Sequence, residues 1–130
     1  MEMLIDSSTL LAVLLNEPQR AALLRATEGA ELLAPSSIPF EIGNAISAMF
    51  RRKSLGLAEG MAVYHGFLRI PIRFVDFEIP EALIIADAAR IYAYDAYLIQ
   101  AAREFRCPIL TLDMRLRIAA RERDVEIVEV

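Results

Sequence analysis

The sequence predicts an α/β fold: a central, mostly parallel sheet of about four to five strands, covered on both faces by helices. Two observations carry this. Short apolar runs alternate with longer amphipathic ones along the whole chain, and within the longer runs apolar residues recur at helical spacing, as in Ile42, Ala45, Ile46 and Met49. Prolines punctuate the alternation, with Pro18 and Pro80 at helix starts and Pro71 and Pro108 just before strands.

Taken in order, Met3 to Ile5 reads as a short buried strand and about Ser8 to Leu15 as the first helix. A second helix spans roughly Pro18 to Thr27 and ends near Gly29. Glu31 to Ala34 is a strand, Pro35-Ser36-Ser37 a turn, and the segment after Pro39 a helix with Ile42, Ala45, Ile46 and Met49 on one face and Glu41 and Asn44 on another. Leu57 to Leu68 is a helix with Met61, Tyr64 and Phe67 or Leu68 on one stripe. Ile72 to Phe77 is a strand, and Pro80 to about Ile91 a helix. Asp95 opens the helix that buries Leu98, Ala101, Ala102 and Phe105. Ile109 to Leu112 is a strand, Asp113 to about Glu122 a helix, and Glu126 to Val130 a last strand.

With 130 residues, 56% of them apolar, and no repeat, low-complexity tract or linker-like stretch, the sequence reads as one domain over residues 1–130 with a real core. The longest apolar run, Leu10 to Leu15, is far shorter than a membrane span. Glu2 and Asp6 flank the first apolar stretch, which argues against a secretory leader. Cys107 is the only cysteine, which excludes an intramolecular disulfide and Cys/His zinc sites and fits a cytoplasmic chain. The net charge of -4 argues against nucleic-acid binding through bulk positive charge. Of 14 basic residues all but Lys53 are arginine, however, and arginine forks suit phosphate. One cluster, Arg51-Arg52-Lys53, is a candidate phosphate contact, although positive charge there also suits a helix C-terminus.

Four acids stand out. Asp6 and Asp113 end apolar strands, while Glu41 and Asp95 lie at helix starts. In a parallel α/β sheet, strand carboxyl ends and helix amino ends share one edge, and ligands bind there. Each acid alone has a simpler role as a helix cap or first-turn residue. Gathered on one edge they repel one another unless a cation intervenes. Carboxylates without His or Cys suit Mg²⁺ or Mn²⁺, which supports chemistry on phosphate. Other chemistries find little. His65 lies mid-helix, Cys107 reads as buried and inert, and no nucleophile elbow or Gly-rich phosphate loop is present. Asp87 reads as solvated surface.

The chain resembles the PIN-domain family, in particular the VapC-type toxins of toxin–antitoxin modules. The resemblance rests on Leu4-Ile5-Asp6-Ser7-Ser8, Pro39-Phe40-Glu41-Ile42-Gly43-Asn44, Tyr94-Asp95-Ala96 and Thr111-Leu112-Asp113, in that order over essentially the whole chain. It implies a PIN-like three-layer α/β/α sandwich and a metal-dependent endoribonuclease. Asp6, Glu41, Asp95 and Asp113 would then be catalytic, holding Mg²⁺ or Mn²⁺ directly or through water, with Asp113 the one acting through water. Ser7 or Ser8, Asn44 and Thr111 would orient those acids. The resemblance further implies hydrolysis by a metal-activated water to a 5′-phosphate and a 3′-hydroxyl, a homodimer, and a small antitoxin encoded alongside. An alternative keeps the fold and assigns it RNA processing or DNA cleavage outside such a module. A phospho-acceptor receiver domain is disfavoured, because Asp6 lacks a neighbouring acid and Lys53 follows a helix.

Overall fold

The structure, a computed structural model, describes residues 1–130. Its elements run β1 (Glu2–Ile5), α1 (Ser7–Leu14), α2 (Arg20–Ala26), β2 (Glu31–Pro35), α3 (Ile38–Arg51), α4 (Leu57–Leu68), β3 (Ile72–Val75), α5 (Ile79–Ala89), α6 (Ala93–Phe105), β4 (Ile109–Leu110) and α7 (Met114–Arg121). The four strands form one sheet in the order β3-β2-β1-β4, and every pairing is parallel. The chain steps outward from β1 to β2 to β3, then crosses back through α5 and α6 to place β4 on the other side of β1. The strand order therefore reverses at β1, and a parallel sheet opens a crevice at such a reversal.

Side-chain alternation along the strands separates two cores, as a sheet covered on both faces requires. Met3 and Ile5 of β1, Ala34 of β2 and Leu110 of β4 pack with Leu10, Leu23, Ile38, Ile42, Ile46 and Phe67 from α1 to α4. Leu4, Leu33 and Ile109 face the other way, onto Ala82 and Ile85 of α5, Ala96, Leu98, Ile99, Ala101 and Ala102 of α6, and Leu116 of α7. The result is a three-layer α/β/α sandwich. Each fully buried leucine or isoleucine contributes on the order of 1.5–3 kcal/mol. Helices α3 and α4 approach closely at Gly60, where a Cβ would lie 2.4 Å from the Phe50 ring. No helix is long and apolar enough to cross a membrane.

Three boundaries and one predicted strand in these elements differ from the sequence expectation. Pro18 and Gln19 lie in a turn, so the second helix begins at Arg20. Strand β3 stops at Val75, short of Phe77. Strand β4 stops at Leu110 rather than Leu112, because Thr111 to Asp113 turn to cap α7. The last strand, Glu126 to Val130, does not form. The segment makes an isolated parallel bridge, Ile109 to Ile127, with Ile109 N donating to Glu126 O and Val128 N to Ile109 O at 2.9 Å each. A two-residue β4 has no further backbone groups to offer a neighbour.

Candidate metal centre

Three of the four acids stand at strand carboxyl ends. Asp6 follows β1 at the sheet's reversal, Glu41 lies in the first turn of α3 after β2, and Asp113 follows β4. Asp95 reaches the same edge from α6. Its position corrects the sequence reading: α6 starts at Ala93, with Tyr92 as its N-cap, so Asp95 sits in the first turn and does not open the helix.

Asp6 is the most firmly held of the four, only 5% exposed. One carboxylate oxygen, Oδ1, accepts from Ser8 Oγ at 2.8 Å, Thr9 N at 3.0 Å and Thr9 Oγ1 at 2.8 Å. The other, Oδ2, accepts from the fully buried Thr111 hydroxyl. That same hydroxyl accepts from Asp113 N at 3.0 Å. Thr111 thus ties the carboxylate of one acid to the backbone of another across the β1–β4 pair. Arg117 in turn holds Thr111, its guanidinium donating twice to Thr111 O at 3.0 and 2.9 Å. Asp113 caps α7 through Oδ1, which accepts from Arg115 N and Leu116 N at 2.8 and 3.2 Å. Its Oδ2 has no protein partner.

Glu41 accepts from Ser37 Oγ at 2.8 Å. Burial pushes its carboxyl above the ordinary value, and the Asp6 charge adds to this, while the hydroxyls of Ser37 and Ser7 oppose it. Asp95 is pushed up to about 6, first by burial, then by the charges of Asp113, Asp6 and Glu41. These mutual influences bring all four acids into one electrostatic neighbourhood. No three of them close into a ready-made coordination shell. None has an arginine or lysine partner, since the five ion pairs of the molecule lie elsewhere. Clustered carboxylates without a protein cation form an all-oxygen donor set, which fits a hard divalent cation.

The remaining candidates fall apart from this cluster or only partly join it. Ser7 bears on Glu41 and Ser8 on Asp6, so each serves a different acid. Asn44 is exposed on α3, one turn beyond Glu41, and its side chain makes no hydrogen bond. Arg51, Arg52 and Lys53 are exposed at the far end of α3, about 15 Å along the axis from Glu41 at 1.5 Å per residue. His65 is exposed on α4. Asp87 is 88% exposed, beside Arg90 at 3.8 Å. Cys107 is half-buried, its thiol pushed up to about 11 chiefly by burial. Two supporting residues escaped the sequence reading. Thr9, whose hydroxyl also lies 3.1 Å from Leu110 O, carried a signal in the Asp-x-x-Thr spacing of a helix cap. Ser37 carried one at four residues before Glu41.

The sequence profile of the PIN domain matches residues 3–122. VapC ribonuclease Mb0985 of Mycobacterium bovis and ribonuclease VapC9 of Mycobacterium tuberculosis are each 30% identical over 113 residues, 86% of this chain and 86% of their own. The crystal structure of PAE2754 from Pyrobaculum aerophilum matches with a TM-score of 0.71 at 20% identity, covering 92% of this chain and 87% of that one. VapBC2 from Rickettsia felis, solved bound to a DNA fragment from their promoter, matches with a TM-score of 0.67 at 12% identity, covering 98% and 97%. At those identities the solved structures speak for the fold. With the profile spanning nearly all of it and relatives at 30% identity over most of both lengths, the chain belongs to the PIN domain family.

Proposed function

We propose that this chain is a metal-dependent endoribonuclease of the VapC type, the toxin of a toxin–antitoxin pair, working in the cytoplasm. The observation that carries the reading is the gathering of Asp6, Glu41, Asp95 and Asp113 on one sheet edge without a basic partner. The names of the relatives, ribonucleases over most of the same length, favour RNA as the substrate.

The four acids would hold Mg²⁺ or Mn²⁺ directly or through water, with Asp113, whose Oδ2 has no protein partner, the one acting through water. When bound, such an ion neutralises a phosphodiester and polarises water for attack on it. The chain's own residues set the stage. Ser8, Thr9 and Thr111 occupy the inward lone pairs of Asp6 and fix its plane, and Ser37 and Ser7 orient Glu41. Asn44, one turn beyond Glu41, is available to position substrate or water. The Arg51–Lys53 cluster would contact RNA several nucleotides from the cut.

The partners follow from what stays uncovered. Phe40 (78% exposed) on α3 and Met61 and Leu68 (48% and 62%) on α4 are large apolar side chains left uncovered, which favours a homodimer through these helices. The co-encoded antitoxin would cover the acidic edge. Incubating the purified protein with a mixed-sequence RNA tests the central reading. Cleavage in Mg²⁺ or Mn²⁺ to 5′-phosphate ends, abolished by chelator, is expected. Cleavage that persists in excess chelator would overturn it.

A further inference from the structure

Helices α5 and α6 join through Arg90, Ile91 and Tyr92, and this short link breaks two local rules at once. Arg90 closes α5 in the left-handed region, at φ 57° and ψ 46°, where glycine is favoured because a Cβ is strained. Tyr92 occupies the N-cap of α6, a position that favours Ser, Thr, Asp or Asn, and makes no capping hydrogen bond. Neither side chain is recruited by the core. Tyr92 is 80% exposed, and Arg90 makes one ion pair, with Asp87 at 3.8 Å, both groups being over 85% exposed. Conflicts between local preference and residue identity concentrate where function selects the side chain. Arg106 also closes its helix in the left-handed region, but at the opposite sheet edge. Arg90 differs in its place beside the acids.

That place is defined by the cleft it lines. Arg90 and Ile91 face Arg115 and Ile118 of α7, and Glu122 at its C-cap, across a cleft of about 320 Å³. Arg115 lies two residues past Asp113, and Tyr92 three residues before Asp95. The cleft is lined by two arginines and one glutamate, Glu122. It is tied to the acids through Arg115, whose N donates to Asp113 Oδ1 at 2.8 Å, while the exposed Tyr92 follows Ile91 directly in the chain. Two residues on, Tyr94 packs edge-on against Tyr97 with ring centroids 5.8 Å apart. Guanidinium groups spaced along a groove beside an unpartnered aromatic ring are the chemistry that tracks a single-stranded nucleic acid, with phosphates on the arginines and a base stacked on the ring.

Resting on the ribonuclease reading above, we infer that Arg90, Arg115 and Tyr92 form a substrate track that selects single-stranded or looped RNA, holding the nucleotides next to the scissile bond. Arg90 and Arg115 take phosphates and Tyr92 stacks one base. A double helix keeps its bases paired and offers nothing to the ring.

The decisive variant is Arg90→Gly, because it removes the charge while relieving the left-handed strain, so it folds at least as well as the wild type. The probe is a fluorescein-labelled 12-nucleotide single-stranded RNA, read by anisotropy in chelator so that it stays intact. Arg90→Gly and Arg115→Gln are each expected to reduce the salt slope of log K by about 0.7, the value for one phosphate contact on a single strand. Tyr92→Ala is expected to weaken binding about ten-fold, and a blunt RNA duplex to show no response to it. In Mg²⁺, the same changes should raise KM for RNA while kcat stays within about two-fold of wild type. Unchanged affinity, slope and KM in all three variants would overturn the track and leave this cleft to a protein partner. Absence of wild-type cleavage would instead strike at the ribonuclease reading, and the anisotropy arms would still decide the track.

Discussion

Replacing Asp95 by asparagine should make the metal-free protein more stable at neutral pH while abolishing its activity. The half-buried carboxyl of Asp95 is pushed from 3.8 to about 6 by burial and by the charges of Asp113, Asp6 and Glu41. At 1.36 kcal/mol per unit, that shift corresponds to an upper bound of about 3 kcal/mol for ionising Asp95 in the folded chain. Solvent screening of a partly exposed group reduces it to about 1–2 kcal/mol. Because the folded chain holds this proton more tightly than the unfolded one, the penalty is absent below about pH 4, grows as pH rises and is complete above about pH 6. Glu41 shifts in the same direction and adds to the trend.

Urea unfolding in chelator at pH 7.5 and pH 4 measures this directly. Asp95→Asn should exceed wild type by about 1–2 kcal/mol at pH 7.5, or about 4–8 °C in Tm, and the gain should vanish at pH 4. Saturating Mg²⁺ should reverse the order. An ion present at 100 times its Kd stabilises the wild type by about 2.7 kcal/mol, and the variant should gain less. A variant less stable than wild type at pH 7.5 in chelator, or an equal gap at both pH values, would refute the electrostatic reasoning.

Thr111→Val removes the buried hydroxyl shared by Asp6 and Asp113 N, and should cost about 1.5–3 kcal/mol in stability, with Thr111→Ser restoring most of it; chemical denaturation checks both. Neutralising Arg51, Arg52 and Lys53 together should weaken RNA binding and flatten its salt dependence, and an unchanged slope would remove the cluster from the interface. Light scattering should find a dimer at micromolar concentration, converted to monomer by paired Met61→Glu and Leu68→Glu changes, and a wild-type monomer would contradict that interface.

Much of this was legible in the sequence because the periodic signals were strong. The four parallel strands and the α4 helix, Leu57–Leu68, follow from apolar runs and helical spacing, with three of the acids after strands and Asp95 in the first turn of α6. What escaped was tertiary. The start of α6 was misplaced because Tyr92, a poor capping residue, caps it, while Asp95, a good one, lies inside. The Glu126 to Val130 strand failed because its partner β4 is cut short by the turn that aims Thr111 at Asp6. The support given by Thr9 and Ser37 depends on which elements meet at the sheet edge, and spacing along one element carries only part of that. The Arg51–Lys53 cluster follows Glu41 in sequence, yet the length of α3 carries it to the far end of the helix.

The central claim is that four carboxylates on one edge act as a single centre for RNA hydrolysis. Single-turnover cleavage of one end-labelled RNA in Mn²⁺, by the wild type and by Asp6→Asn, Glu41→Gln, Asp95→Asn and Asp113→Asn, tests it most directly. Each change should slow cleavage by at least about 100-fold, the effect of losing several kcal/mol of charge stabilisation. Full-rate cleavage by both Asp6→Asn and Asp113→Asn would contradict it.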